Sequence, residues 1–314
     1  MQLPRRRRAD FEAGSDFQYP EHLRGQASAA PAAPGVYIFH GQPGDLPLYI
    51  GKSINLRARL LSHLRNPDED RMLRQATAIS FERTAGEIGA LLLEARLIKQ
   101  QQPLYNQKLR RNKQLCALRL GPDGRPEVVH STQVDFATTP ELYGLYASRH
   151  AALEGLRALA DEHKLCYAVL GLEKPAGGRG CFRSMLRQCA GACCGRESLA
   201  EHQARLLAAL DALRIACWPH PGAIGLVERW PSGPSDPADP HPPAPTEPGD
   251  AMFQIHVVRN WCYLGSAATL EQARALDRVA TGFDADGYKI LCRPLLGGRI
   301  ESLALQDLRS PAPD

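Results

Sequence analysis

Along the first third of the chain the spacing of apolar residues changes from period two to the longer helical period. Val36, Ile38 and Phe39, then Leu48, Tyr49 and Ile50, form two short apolar runs separated by a Gly/Pro loop, which predicts a β-hairpin. Ile54, Leu56, Leu60, Leu61 and Leu64 recur on one stripe and predict a helix over residues 53–64, opened by Ser53. Residues 79–83 read as a third strand. Thr84 and Glu87 have the spacing of a capping box ahead of a helix reaching about Gln101.

Further on, residues 116–120 read as a strand, and helical patterns cover residues 150–163 and 198–216 with a cysteine-rich loop between them. Residues 231–250 hold eight prolines and no aromatic residue, so they predict an extended linker that ends a domain. After it come a strand-like run at 253–258, a helical one at 270–278 and a second strand at 289–292. No internal repeat is present. The expectation is an α+β chain in five parts: a basic arm and lead-in (1–31), a small antiparallel sheet flanked by helices (32–110), a mostly helical, Cys-rich middle region (111–230), the linker (231–250) and a small α+β C-terminal module (251–309).

Composition narrows the setting. With 314 residues, 44% of them hydrophobic and 23% charged, the chain is expected to be soluble and to hold two or three domains. The opening Met-Gln-Leu-Pro-Arg-Arg-Arg-Arg has no apolar stretch behind it, and no apolar run approaches ~18 residues, so neither export nor a membrane span is expected and the location is taken as cytoplasmic. The net charge of +4 is uneven: residues 32–113 hold 13 Lys+Arg against 7 Asp+Glu, the remainder 25 against 27. Positive charge on the first sheet suits a polyanion, because neutralised phosphates release counterions; solvated helix faces are the plainer explanation.

Candidate chemistry lies in that segment. Gly35-Val36-Tyr37 is followed by Tyr49-Ile50-Gly51-Lys52, then by Arg59, His63, Glu94 and Asn106. Two phenols, two cations and a carboxylate are the parts needed to make a hydroxide, hold a phosphate and place a metal. Each has an ordinary alternative: aromatic packing for the tyrosines, pairing with an arginine for Glu94, a turn for Asn106. Arg59 and His63, four apart, share a helix face beside the leucine stripe. Glu94 sits in an apolar helix, where a carboxylate is costly unless paired or bound to a cation. Arg57 reads as a surface phosphate contact or a solvated side chain.

Taken together, these residues resemble the active site of the GIY-YIG nuclease superfamily. Leu92-Leu93-Glu94-Ala95-Arg96-Leu97-Ile98-Lys99 followed by Pro103-Leu104-Tyr105-Asn106 resembles the N-terminal incision domain of UvrC. The likeness continues through residues 112–118, Cys181-Phe182-Arg183, residues 189–194 and residues 282–292. The chain has no room after residue 220 for UvrC's second nuclease and helix-hairpin-helix domain, so it is similar to the shorter UvrC-homologous excinucleases.

The resemblance implies that Tyr37 or Tyr49 is the general base with Lys52 as the cation that favours its phenolate, since a phenol of pKa near ~10 is a poor base at neutral pH. It implies that Arg59 stabilises the pentavalent phosphate and that Asn106 holds the site's backbone. His63, where close relatives often have a tyrosine, would handle a proton or orient substrate. Glu94 would be the sole protein carboxylate on Mg2+ or Mn2+. The implied activity is incision of damaged double-stranded DNA on the 3′ side of a bulky lesion marked by UvrA and UvrB, in the setting of the SOS response. Two other readings stay open: a UvrB-independent, structure-specific nuclease, and a non-catalytic DNA-binding accessory protein, against which the intact set of residues argues.

Nine cysteines in a cytosolic chain point to thiols that are buried, reactive or metal-bound. Cys166, Cys181, Cys189 and Cys193 are spaced C-x14-C-x7-C-x3-C, with Cys194 as an alternative to Cys193. Four thiolates from a Gly-rich loop suit a 4Fe-4S cluster or a tetrahedral zinc; unligated buried thiols are the alternative. The last part of the pattern resembles the UvrC cysteine box, which implies the cluster. Arg179, Arg183, Arg187 and Arg196 surround it and would brace a DNA-contacting face. Cys116, Cys217, Cys262 and Cys292 are expected in cores.

Overall fold

A computed structural model describes residues 17–106, 115–174, 180–230, 251–277 and 283–305, which fall into two compact units dividing near residue 110. The arginine run near the N-terminus, Arg179 and the proline linker lie outside the described residues.

The first unit begins with a helix inside the expected lead-in, α1 (Glu21–Ala29), followed by β1 (Gly35–His40), β2 (Tyr49–Ser53) and α2 (Leu56–His63). A 3-10 turn at Pro67–Glu69 leads into α3 (Asp70–Leu73), β3 (Ala78–Arg83) and α4 (Glu87–Gln101). The sheet is antiparallel in the order β2-β1-β3. Alternation along β1 supplies both layers. Tyr37 and Phe39 face α1 and α2 in a core with Leu23, Ala27, Leu56, Leu60 and Leu64, whereas Val36 and Ile38 pack with Ile50, Leu93 and Ile98 on the α4 side.

Two helix starts differ from expectation. α2 is capped by Asn55, whose side chain accepts the Ala58 N–H, while Ser53 bonds Asn55 and Ile54 is exposed. The Thr84–Glu87 capping box is absent: Thr84 donates to the Gly86 carbonyl, and Glu87 instead binds Lys52. Both differences arise because short polar side chains bond the nearest backbone group the turn presents.

In the second unit β4 (Cys116–Leu120) lies between β5 (Pro126–His130) and β6 (Tyr143–Tyr146), giving the helical middle region a three-stranded antiparallel sheet. α5 (Arg149–Glu162), α6 (Tyr167–Leu170), α7 (Phe182–Met185) and α8 (Leu199–Asp211) follow. Leu118, Tyr143, Leu156, Leu165, Leu206 and Leu210 form the core between sheet and helices. α8 starts at a capping box of Ser198 with Glu201 and ends five residues short of the expected 216.

β7 (Ile224–Trp230) precedes the linker, yet it pairs along its length with β8 (Met252–Arg259) beyond it. β9 (Cys262–Ala267), α9 (Leu270–Ala275), α10 (Ala285–Leu296) and β10 (Glu301–Ala304) complete a sheet of order β10-β7-β8-β9. The C-terminal module thus draws a strand from the residues expected to end the middle region. Residues 289–292, expected as a strand, lie inside α10, which is capped by Asp284 and buries Gly287 and Leu291 at helical spacing. Pro294 is tolerated in its last turn. A β-carbon on Gly287 would fall 2.0 Å from the Trp261 carbonyl oxygen, so only glycine lets α10 approach the β8–β9 turn this closely. Tyr288 packs beside Phe283 against Phe136 and Ile215 of the middle region and accepts the Ala216 N–H. Among the described residues no helix is long and apolar enough to cross a membrane.

Candidate active site

Register places the chemistry. Tyr37 of β1 lies opposite Gly51 of β2, and Phe39 opposite Tyr49, so both phenols stand on the face covered by α2. A β-carbon on Gly51 would come 2.3 Å from the Tyr37 hydroxyl; the missing side chain is the space that phenol occupies. Tyr37 is 1% exposed and Tyr49 half-buried, with ring centroids 6.2 Å apart. From α2, one turn apart, come Arg59 and His63. The Tyr37 hydroxyl lies 2.6 Å from His63 Nε2 and accepts from Arg59 Nε at 3.4 Å. His63 is itself buried, 3% exposed, and its Nδ1 meets the Glu69 carboxylate from the 3-10 turn.

Burial pushes the pKa of Tyr37 well above the ordinary phenol value, reinforced by the nearby Tyr49, while the Arg59 hydrogen bond and charge pull the other way. Tyr49 is raised too, by burial first and then by the Glu94 charge. The cation at the Tyr37 hydroxyl is therefore Arg59. Lys52, expected to tune the tyrosines, directs its ammonium to Glu87 at 2.6 Å, because its side chain leaves the edge strand toward the start of α4. Arg57, expected at the surface, donates to the Ala30 carbonyl at 2.7 Å and ties α2 to the end of α1.

The carboxylate of Glu94, on α4, accepts the Lys52 backbone N–H at 3.0 Å and forms no other hydrogen bond among the described residues. Burial raises its pKa against that N–H and the Lys52 charge. A half-buried carboxylate with spare acceptor capacity suits a hard cation that keeps most of its own waters. Asn106 works as a missing strand partner: its Oδ1 accepts the Ile50 N–H at 2.9 Å and its Nδ2 donates to the Ile50 carbonyl at 2.8 Å. It thereby closes the open edge of β2 beside both Tyr49 and Gly51. The structure brings Tyr37, Tyr49, Arg59 and His63 together; Glu69 and Glu87, which complete the network, were missed because neither stands at a diagnostic spacing.

In the second unit the sulfur atoms of Cys166, Cys181 and Cys189 converge, with Sγ–Sγ distances of 3.8 Å for Cys166–Cys181 and 3.6 Å for Cys181–Cys189. Cys193 packs beside them and accepts the Cys181 N–H at 3.2 Å. Cys194 is engaged instead by Ser184 and the Gly191 carbonyl, which favours Cys193 as the fourth donor. Buried His202 accepts the Cys166 N–H at 3.0 Å and holds that end of the loop. Arg183 stacks on Tyr167 and pairs with Asp161, and Arg196 reaches the Ser184 carbonyl, so both brace the loop from within the protein.

Similarity to known proteins follows the same divisions. The UvrC-like GIY-YIG domain matches residues 33–107, the UvrC/Cho excinuclease middle domain residues 115–212 and the excinuclease Cho C-terminal domain residues 245–310. "Excinuclease cho" of Escherichia coli strain K12 is 54% identical over 294 residues, covering 94% of this chain and 93% of that one. The Salmonella typhi protein of the same name is 54% identical over 298 residues, covering 95% of each. "UvrABC system protein C" of Natronomonas pharaonis is 35% identical over 145 residues, 46% of this chain and 24% of that one. Among solved structures, the GIY-YIG N-terminal endonuclease domain of UvrC from Thermotoga maritima, bound to magnesium, is 38% identical, with a TM-score of 0.26, covering 27% of this chain and 97% of that one.

Sequence, fold and site together define a GIY-YIG endonuclease of nucleotide excision repair. The chain belongs to the Cho excinuclease family.

Replacing Asn106 by alanine leaves the Ile50 N–H without its partner at the strand edge. Asn106→Ala is expected to lower stability by about 1–3 kcal/mol, read by denaturant unfolding of the full chain.

Proposed function

We propose that this excinuclease cuts the damaged strand on the 3′ side of a bulky lesion after UvrA and UvrB have marked it, by divalent-cation-dependent phosphodiester hydrolysis. The observation that carries the chemistry is the buried Tyr37 hydroxyl held between Arg59 and His63 on the same unit as the under-coordinated Glu94 carboxylate. The 3′ side and the partners rest on the family resemblance and on relatives named for the UvrABC system.

In this reading a water that reaches the Tyr37 oxygen beside Arg59 is the nucleophile. The Tyr37 oxygen takes its proton as the phenol passes its own to His63 Nε2, so no standing phenolate is needed in a site whose burial opposes one. Arg59, a guanidinium aimed at the Tyr37 hydroxyl and charged at any working pH, stabilises the phosphate oxygens as negative charge builds on them. Tyr49 remains a phenol and orients the phosphate as a hydrogen-bond donor. Glu94 would hold Mg2+ or Mn2+, which when bound supplies Lewis-acid polarisation of the scissile phosphate. Lys52 keeps β2 against α4 through Glu87 and through its backbone bond to Glu94.

Cys166, Cys181, Cys189 and Cys193 are proposed to hold a 4Fe-4S cluster with a structural role, since hydrolysis transfers no electrons. Four thiolates suit that group or a zinc by donor chemistry, while the sulfur spacing in this structure is that of a zinc site. Sulfurs 3.6–3.8 Å apart match the edge of a zinc–thiolate tetrahedron with bonds of about 2.3 Å, and a cluster would spread them.

The first test is incision of an end-labelled duplex carrying one bulky adduct, with UvrA, UvrB, ATP and Mg2+. A single 3′ cut is expected that needs UvrB and falls by about 10^2-fold or more in Glu94→Ala. Cutting without UvrB would overturn the partner assignment, and absence of cutting the activity. The second is metal analysis of protein purified without oxygen: iron and acid-labile sulfide in equal amounts are expected, lost in Cys181→Ser, and one zinc without sulfide would overturn the cluster.

A further inference from the structure

We infer that Glu69 is a positioning residue of the hydrolysis: its carboxylate fixes His63 in the tautomer that can take the Tyr37 proton and then stabilises the imidazolium so formed. The inference rests on the nuclease reading above, to which it adds a residue.

It stands on the polarity of one chain of hydrogen bonds. An ionised carboxylate only accepts, so the His63 Nδ1 that meets Glu69 must carry the hydrogen. Nε2 is then a bare acceptor, and the Tyr37 hydroxyl 2.6 Å away must donate to it. The Tyr37 oxygen keeps its lone pairs for Arg59 Nε, at 3.4 Å, and for the water it deprotonates. The opposite tautomer would set an imidazole lone pair against a carboxylate, a repulsion that the buried His63 ring cannot turn away from. Arg59, Tyr37, His63 and Glu69 thus point their donors in one direction, and the carboxylate decides which. The logic is that of a hydroxyl–imidazole–carboxylate triad, with a phenol in the place of the nucleophilic hydroxyl.

Glu69 is built to hold this position. It ends a 3-10 turn that starts with Pro67 and is capped by Asn66, whose side chain accepts the Asp68 N–H at 3.2 Å. Burial pushes the Glu69 carboxyl up, but the hydrogen bond and charge of His63 outweigh it, and the net pKa lies below the ordinary value. The ionised form, the one the tautomer needs, is favoured. The groups facing His63 are Tyr37 from β1, Tyr49 from β2 and Glu69 from the turn, with Arg59 of its own helix at the Tyr37 hydroxyl. Asp68 of the turn and Arg71 of α3 line the same cleft, of about 300 Å³, together with Tyr49, His63, Glu69 and Tyr105. Glu69 is partly exposed there, which gives the proton a way out.

Protons balance through this path. The attacking water gives one proton to Tyr37, whose own proton moves to His63. The P–O bond to the leaving oxygen breaks, and that oxygen takes a proton from solvent. His63 returns its extra proton to solvent through the cleft, restoring the resting tautomer.

The test compares wild-type chain with Glu69→Gln in single-turnover incision across pH, with thermal melting of both and 15N NMR of the histidine rings in the wild type. The wild-type His63 signal is expected to show Nδ1 protonated and Nε2 bare. Glu69→Gln is expected to cut about 10- to 100-fold more slowly with unchanged DNA binding. Its acid limb should move to lower pH, because an imidazolium without its counter-charge loses its proton more easily. Equal rates with an unmoved limb would overturn the inference, as would a lowered melting temperature with the limb in place, or an Nε2–H tautomer by NMR. Failure of the wild type to cut would count against the nuclease reading, while the NMR result would still decide the tautomer.

Discussion

A phenol buried to 1% exposure with its hydroxyl turned inward is the constraint on which the first unit depends. A buried hydroxyl must have partners, and among the described residues Tyr37 has two, both from α2. That requirement fixes where α2 crosses the sheet, and the leucine stripe of Leu56, Leu60 and Leu64 holds it there. It also explains why Gly51 stands opposite: any side chain at that register position would fill the space of the Tyr37 hydroxyl. Asn106 and Lys52 then secure the β2 edge that carries Gly51, one through the Ile50 backbone and the other through Glu87 and Glu94. Packing and chemistry here use the same residues, so the motif's spacing is a statement about folding as well as catalysis.

Much of this was legible in the sequence, for physical reasons that also mark its limits. β1, β2, β3, α2 and α4 carry strong period-two or helical patterns, and the functional side chains sit at their ends or edges. Glu69 was not legible because its partner, His63, lies across a turn whose geometry depends on Pro67 and Asn66. Lys52 was read as a partner of the tyrosines because it follows Tyr49 closely in sequence, but a side chain leaving an edge strand has several directions open, and Glu87 decides which. α1 was absorbed into the lead-in because it is short and buries only Leu23 and Ala27. β7 and β9 were missed although they are seven and six residues long, one running into the proline-rich stretch and the other following the Trp261 turn. The helix at Ala285–Leu296 was mistaken for a strand because Ile290, Leu291 and Cys292 form a short apolar run, too short to separate strand from helix. Its burial has an i, i+4 spacing from Gly287 to Leu291 that only the longer window reveals.

The second unit ties three things together that the chain presents separately. The strand before the linker and the strands after it form one sheet, and the start of α10 joins this module to the middle region through Tyr288 and Phe283 against Phe136 and Ile215. The cysteine loop is held from below by His202 and from the side by Arg183 on Tyr167 and Asp161. Arginines that sequence alone assigns to DNA are thus partly spent on the fold, a common outcome where a guanidinium can stack and pair at once.

The central claim is that Tyr37 and His63 move a proton as one unit. Its most direct measurement is a double-mutant cycle on single-turnover incision with Tyr37→Phe, His63→Gln and the pair together, at saturating protein and Mg2+. Residues that act through each other lose their function once. The double variant is expected to be no slower than the slower single variant. Losses that multiply, with each substitution costing the same in the presence or absence of the other, would contradict it.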